Sequence, residues 1–144
     1  MSCFTWGQTE GVLYSPQGDP CGSGYSGKGE GKNNALMQNV RDVGPIPCGL
    51  YTIEPPADDP KVGAYAMRLT PDPSNQMFGR TDFLCHGDNM LGNESASEGC
   101  VILNKIVRYR MWQSGVRCLR VVAQFQPTSP NQDSTWGDNL IAIG

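Results

Sequence analysis

The chain has 144 residues, a net charge of 11 − 14 = −3 and a pI near 5. No run of Lys and Arg is present to bind a phosphate backbone, which excludes nucleic acid as a partner. No stretch approaches the roughly 20 apolar residues that span a bilayer, and the N-terminus lacks the basic and apolar regions of a signal peptide. We therefore expect one domain, residues 1–144, that is made in the cytoplasm without a signal peptide.

The cysteine and histidine content limits the possible chemistry. The six cysteines are Cys3, Cys21, Cys48, Cys85, Cys100 and Cys118. Three disulfides are one interpretation, but a chain without a signal peptide favours reduced, buried thiols. No Cys-x-x-Cys motif occurs and one histidine is present, so we predict no metal site and no cofactor.

The hydrophobic pattern and the turn residues predict mostly short strands. With 18 Gly and 11 Pro, the composition is typical of a β-rich fold with many turns. The first predicted elements are strands over 3–7 and 11–15, a Gly-rich loop over 15–34 and a weak helical turn over 35–44. They are followed by strands over 50–54, 64–70, 82–86 and 101–103, a helix over 105–114 and a strand over 116–126. A polar tail begins at 127, and its Trp136 and apolar end are available for docking. The helix is expected to begin after Asn104 as its N-cap and to end at Gly115. These elements predict a mainly β fold, a β-sandwich or partly open barrel with one or two short helices.

Two glycine motifs lie in the predicted loop, and neither fits its usual role. Gly22, Gly24 and Gly27 satisfy Gly-x-Gly-x-x-Gly, but a dinucleotide site needs a strand before the motif and a helix after it. The segment "SGKGEGK" is a near-match to a phosphate-binding loop that lacks the first Gly and the magnesium-binding Ser or Thr. We interpret the segment as a flexible loop, with a lid over a site as one option. The scattered acidic residues have no spacing that specifies a catalytic pair.

His86 is the one imidazole that the chain offers as a base. Side chains alternate along a strand, so Phe83 and Cys85 share one face of the predicted strand, and Leu84 and His86 share the other. Cys85 is therefore expected in the core and not as the partner of the histidine.

Cys100 follows Gly99 and precedes a short apolar strand. A thiol at the head of a strand lies beside backbone N–H groups, which an oxyanion hole requires. A neutral thiol is a poor nucleophile, and His86 is placed to accept its proton. The physical argument leaves two interpretations open, a catalytic pair or a hydrogen-bonded loop histidine with a buried cysteine.

The motifs "HGDN…SASEGCVIL" and "GPIPCGLYTI" resemble those of the L,D-transpeptidase (YkuD-like) superfamily. Together with "YSGKGEGKNN" and "GRTDFLCHGD", they are most similar to small L,D-transpeptidase-like effectors of the bacterial type VI secretion system, which act on the cell wall of rival bacteria. The resemblance covers residues 6–122.

The resemblance implies a role for five residues. Cys100 matches the nucleophile that attacks the carbonyl of an L-centre in a peptidoglycan stem peptide, and His86 matches the general base. Ser97 matches the serine that lines the site. Gly99, together with the nucleophile, would offer N–H groups to the oxyanion, and the carbonyl of Gly87 would orient the histidine.

Two positions depart from the family pattern, and other residues are candidates for substrate binding. Glu98 stands where many members have a second histidine, and Ile102 where many have Arg or Asn, so recognition of the acyl acceptor is in doubt. The candidates for substrate binding are Arg80, Tyr25, Asp88 and Arg41, with surface charge as the alternative for the arginines.

The function implied by the resemblance is antibacterial. The enzyme would cleave the L-Dap–D-Ala bond of tetrapeptide stems as an L,D-carboxypeptidase, or exchange the terminal D-amino acid as an L,D-transpeptidase. Its partners would be peptidoglycan stem peptides, secretion-system components and an immunity protein, and it would act in the periplasm of target bacteria. The alternatives are a non-catalytic module that binds peptidoglycan or a partner, and a generic cysteine peptidase.

Overall fold

Short strands joined by turns make up most of the computed structural model, which describes residues 2–88 and 97–126. The strands are β1 Phe4–Gly7, β2 Val12–Tyr14, β3 Pro20–Ser23, β4 Tyr25–Ser26, β5 Gly49–Ile53, β6 Ala57–Asp59, β7 Gly63–Pro71, β8 Leu84–His86, β9 Val101–Ile102 and β10 Cys118–Val122. One α-helix, α1, spans Lys105–Gln113, and 3₁₀ turns span Gly29–Gly31 and Ala35–Met37. The prediction of a mainly β fold is confirmed.

In the part of the chain that the structure describes, the strands form one mixed sheet. Their order is β3-β2-β1-β10-β5-β7-β8-β9-β4, and β6 pairs with β7 beside this path. The pairs β1–β10 and β8–β9 are parallel, and the others are antiparallel. β3 and β4 stand at opposite ends of the order, although Gly24 alone separates them along the chain. The sheet must therefore curve until its ends approach each other, as in a partly open barrel.

The concave side of this sheet holds a continuous hydrophobic core. Its members, contributed by most strands and by α1, include Trp6, Leu13, Ile46, Tyr51, Ile53, Met67, Leu69, Cys85, Leu103, Met111 and Leu119. Cys85 is 1% exposed, which confirms that its thiol packs in the core.

Helix α1 has the boundaries that its capping residues predict. The side chain of Asn104 accepts a hydrogen bond of 2.9 Å from the N–H of Val107, and Gly115, with φ of 81°, follows the C-cap. Val107 and Met111 face the core. The helix prediction is confirmed.

The prediction of a flexible loop over residues 15–34 is wrong for much of its length, because β3, β4 and a 3₁₀ turn lie within it. The glycines allow close backbone approach. A Cβ on Gly24 would collide with the carbonyl oxygen of Ile102, and a Cβ on Gly31 would collide with that of Val43. The glycine pattern therefore marks tight packing and not freedom of the chain.

The prediction of reduced thiols is wrong for Cys3 and Cys118, which form a disulfide. They flank the parallel register of β1 and β10, in which Phe4 pairs with Leu119, and their Cα atoms are 4.5 Å apart. This distance is within the range that a disulfide requires. The thiols of Cys21, Cys48, Cys85 and Cys100 are free.

Part of the sequence prediction lies outside the described residues. The polar tail from residue 127, with Trp136, falls there, as does most of the segment that joins His86 to Cys100. Within the described residues, the structure contains no helix with the length and apolar character needed to cross a bilayer.

Candidate active site

The parallel pair β8–β9 brings His86 and Cys100 to one face of the sheet. In its register, Cys85 pairs with Val101 and His86 pairs with Ile102. Side chains two residues apart on a strand share a face, so Cys100 lies on the face of Ile102 and therefore on that of His86. Both residues line the same cleft.

The sulfur of Cys100 lies against the backbone of the neighbouring strand. The N–H of Leu84 donates a hydrogen bond of 3.3 Å to Sγ, and the carbonyl oxygen of Asp82 lies 4.0 Å from it. Burial raises the pKa of the Cys100 thiol above its ordinary value, and the N–H of Leu84 opposes this rise. The thiol therefore needs a base to become a thiolate at neutral pH, while the Leu84 N–H stabilises that thiolate once it forms.

The imidazole of His86 is oriented by a backbone carbonyl. Its Nδ1 lies 2.8 Å from the carbonyl oxygen of Gly87. A carbonyl can only accept, so Nδ1 carries the proton and Nε2 of the neutral ring keeps its lone pair. His86 is 2% exposed, and burial lowers its pKa below the ordinary value, opposed by the Gly87 carbonyl. At neutral pH the ring is therefore uncharged and able to accept a proton.

Ser97 organises the turn that leads into Cys100. Its hydroxyl donates a hydrogen bond of 2.6 Å to the carbonyl oxygen of Cys100. The hydroxyl oxygen of Ser97 accepts from the N–H of Gly27 at 2.9 Å and from that of Gly99 at 3.1 Å. Ser97 is completely buried and does not line the cleft. Its contacts make it a positioning residue for the turn, and not a residue that meets a ligand.

Position 99, directly before Cys100, favours glycine over any residue with a side chain. Its φ is 129°, and a Cβ there would lie 2.6 Å from Nη2 of Arg80 and 2.6 Å from the ring of Phe83. Because its N–H already donates to Ser97, the expected donation from Gly99 to an oxyanion does not fit this geometry. Among the turn and loop hydrogen bonds between backbone groups of the described residues, none is donated by the N–H of Cys100.

The cleft beside Cys100 has a volume of about 830 Å³ and a strongly charged lining. Its charged residues are Arg41, Asp42, Asp59, Lys61, Arg68, Arg80, Asp82 and Glu98. No group of three or more His, Cys, Asp and Glu side chains within the described residues is placed to hold a metal ion.

A comparison with family models decides the relationship of the chain. The model of the Tlde1 domain matches residues 22–126, more than half of the sequence and the part that holds both His86 and Cys100. The chain belongs to the Tlde1 domain family. This is an L,D-transpeptidase-like family of type VI effectors. No curated protein and no solved structure shows a significant match to the chain.

The two departures from the expected motif have structural roles in this Tlde1 domain. Glu98 forms a salt bridge with Lys28, in which Oε2 of Glu98 lies 3.2 Å from Nζ of Lys28. Ile102 is buried and pairs with His86 on one side and with Tyr25 on the other. Ile102 offers no base, and the negative charge of Glu98 in the cleft raises the pKa of the Cys100 thiol.

Arg80, predicted to bind a substrate carboxylate, directs its guanidinium into the protein. Its two terminal nitrogens donate hydrogen bonds of 2.5–3.2 Å to the carbonyl oxygens of Gln38, Gly44, Pro45 and Glu98. Arg80 is 5% exposed. These contacts support a structural role in place of the predicted clamp, because they fix the Gly99 turn against the segment before β5.

The structure brings two further candidates together and leaves a third in the cleft wall. The hydroxyl of Tyr25 donates a hydrogen bond of 2.7 Å to a carboxylate oxygen of Asp88. Tyr25 is buried and pairs with β9 next to the site. Arg41 lines the cleft itself.

Arg108, which no sequence motif indicated, is a buried cation of the Tlde1 domain near His86. Its guanidinium donates to the carbonyl oxygens of Leu103, Ala64 and Tyr65 at 2.7–2.9 Å. Its charge also lowers the pKa of His86. Arg108 stands on the core-facing side of α1, where helical periodicity predicts an apolar residue, and nothing local indicates the three carbonyls that it binds.

Proposed function

We propose that the chain is a peptidoglycan-modifying cysteine enzyme that acts on the L-Dap–D-Ala bond of tetrapeptide stems. The observation that carries this proposal is the shared cleft of Cys100 and His86, in which the Nδ1 contact with the Gly87 carbonyl leaves the lone pair on Nε2 as the basic site of the ring. Membership of the Tlde1 domain family supports a cell-wall target. We infer that the chain belongs to the YkuD-like superfamily.

The reaction begins with proton transfer from the Cys100 thiol to Nε2 of His86. The thiolate then attacks the carbonyl carbon of L-Dap, forming an S–C bond and an oxyanion. In this proposal the N–H of Cys100 donates to that oxyanion. The C–N bond breaks, the leaving amine takes the proton from the imidazolium, and D-Ala departs while the tripeptide remains as a thioester.

The acceptor then decides the outcome. His86 takes a proton from water, the resulting hydroxide attacks the thioester, and the S–C bond breaks to give a tripeptide and the free thiol. A free D-amino acid that attacks in place of water gives an exchanged tetrapeptide. Either product removes donor stems from cross-linking and weakens the wall of the target cell.

Delivery and protection follow from the same proposal. As a type VI effector, the protein would be carried by secretion-system components into the periplasm of a rival bacterium. The producing cell would then need an immunity protein that blocks the cleft.

The test is product analysis after incubation with purified muropeptides. We expect tetrapeptide stems to yield tripeptide and D-Ala, and to yield an exchanged stem when a different free D-amino acid is added. Unchanged muropeptides from folded protein would contradict the proposal and favour a binding module. Cleavage of an unrelated protein substrate with no change in muropeptides would favour a generic cysteine peptidase.

A further inference from the structure

Two basic side chains that line the cleft carry positive charge near Cys100. Lys61 lies in the turn between β6 and β7, and Arg68 lies on β7. The positive charge of each lowers the pKa of Cys100, so both act on the sulfur electrostatically. Arg80 differs from them because its guanidinium donates to backbone carbonyls.

The strand register places Arg68 in one row with the nucleophile. Arg68 pairs with Leu84 across β7 and β8, and the N–H of Leu84 contacts the sulfur of Cys100. Directly paired residues share a face, so Arg68 projects toward the cleft from two strands away, about 10 Å at the backbone. An extended arginine crosses much of that distance, which brings its guanidinium beside a peptide bound at the sulfur.

The present partner of Arg68 is weakly held. One nitrogen of its guanidinium lies 3.5 Å from Asp82, and both side chains are more than half exposed. An exposed pair of this kind contributes little stability, so a ligand carboxylate can replace or join it. Within the described residues, Lys61 has no ion-pair partner, and its backbone N–H is fixed by Asp59 at 2.7 Å.

We propose that Arg68 and Lys61 bind the C-terminal carboxylate of the stem peptide and so restrict the enzyme to stems that end one residue after the scissile bond. This inference rests on the proposed function. The carboxylate of the departing D-amino acid lies next to the bond that breaks, where a planar guanidinium can bind both of its oxygens. Lys61 adds a second positive charge from the turn between β6 and β7. In the empty cleft, Asp82 is the ion-pair partner of Arg68.

The experiment measures kcat and KM on two substrates, a tetrapeptide with a free terminal carboxylate and the same peptide with a terminal amide. We expect the wild-type enzyme to prefer the free acid by about 10- to 100-fold in kcat/KM, the range for charge-assisted hydrogen bonds. Arg68→Gln and Lys61→Gln should each remove most of that preference by raising KM for the acid. Their loss of kcat/KM on the amide, which comes from the effect of each charge on the Cys100 thiol, should be smaller than the loss on the acid.

Two further variants sharpen the test. Asp82→Asn removes the ion-pair partner of Arg68 and should lower KM for the free acid more than KM for the amide. Arg120→Gln is the matched control, because Arg120 is also an exposed strand arginine but does not line the cleft. It should change neither substrate.

The outcomes separate this inference from the proposed function. Equal cleavage of acid and amide by the wild-type enzyme would overturn the inference and leave the proposed function standing. Equal losses on both substrates in Arg68→Gln and Lys61→Gln would also overturn it. Cleavage of neither substrate by folded wild-type protein would overturn both.

Discussion

Burial acts in opposite directions on the two reacting groups of the candidate site. It lowers the pKa of the His86 imidazole and raises that of the Cys100 thiol. Both changes favour the uncharged form, so the resting pair at neutral pH is a thiol and a neutral imidazole. This favours proton transfer during the attack over a preformed ion pair.

The pH dependence of the reaction tests this assignment. The base must be unprotonated, so kcat/KM should fall as pH drops through the His86 pKa, with a midpoint below the ordinary value of about 6.5. A pH–rate profile measures that midpoint. Ultraviolet thiolate absorbance at neutral pH that disappears in Cys100→Ala would reveal an ion pair and contradict the assignment.

Substitution of Gly99 should destabilise the site from within. A methyl group at Gly99 meets Arg80 and Phe83 at a backbone φ that side chains rarely adopt, so Gly99→Ala should cost about 2–4 kcal/mol in the free energy of unfolding. Chemical denaturation measures this loss. Gly115→Ala is the control, since its φ is also positive but its surroundings are open, and about 1 kcal/mol is expected. Equal costs at the two sites would show that the contacts around Gly99 are unimportant.

The sequence identifies some site residues and misses the purpose of others for a physical reason. Strand alternation placed Cys85 in the core, and the structure agrees. Arg80 looked like a free cation because its four carbonyl partners come together only after the chain has folded. When the hydrogen-bond partners of a side chain are distant in the sequence, no local sequence pattern indicates them.

At the scale of elements, α1 is joined to the site by Arg108. The guanidinium links the helix to the start of β7 and to the residue after β9, and a Cβ on Gly87 would lie 2.9 Å from its Nη2. The helix thus supports the backbone that holds the imidazole of His86.

Replacement of this arginine should reveal that support. Arg108→Lys keeps the charge but cannot reach all three carbonyls, so we expect a loss of about 2–3 kcal/mol in the free energy of unfolding. Arg110→Lys, on the exposed side of the same helix, should change stability by less than about 0.5 kcal/mol. The measurement is denaturant unfolding of both variants. Similar stabilities would contradict the structural role of Arg108.

The ends of a helix could be predicted where the capping residues alone determine them. Asn104 and Gly115 mark the ends of α1 by capping, so both boundaries are readable from sequence. The segment over residues 15–34 was misjudged because glycine favours both loose loops and close backbone contacts. Only the tertiary contacts of Gly24 and Gly31 distinguish these two uses.

At the scale of the molecule, the disulfide between Cys3 and Cys118 joins positions 115 residues apart. It connects the first strand to the last described strand, next to the ladder that β1 and β10 already form. A crosslink over so long a loop restricts the unfolded chain strongly. Cysteine spacing allows many pairings, and the parallel contact of β1 with β10 is what selects this one.

Loss of this crosslink should lower stability without changing the fold. Cys3→Ser, or treatment with a reductant, should reduce the free energy of unfolding by up to about 4–5 kcal/mol. Thermal and denaturant unfolding under oxidising and reducing conditions measure the effect. Cys21→Ser, which removes an exposed free thiol, should behave as the wild type. Identical unfolding with and without reductant would contradict a stabilising disulfide.

The rate of D-Ala release from a tetrapeptide shows directly whether Cys100 attacks the stem peptide with His86 as its base. We predict no release by Cys100→Ala, a loss of about 10²- to 10⁴-fold in His86→Gln, and the wild-type rate in Cys21→Ser. Each variant must first show the wild-type fold by circular dichroism. Release at the wild-type rate by Cys100→Ala would rule out Cys100 as the nucleophile, and release at that rate by His86→Gln would rule out His86 as the base.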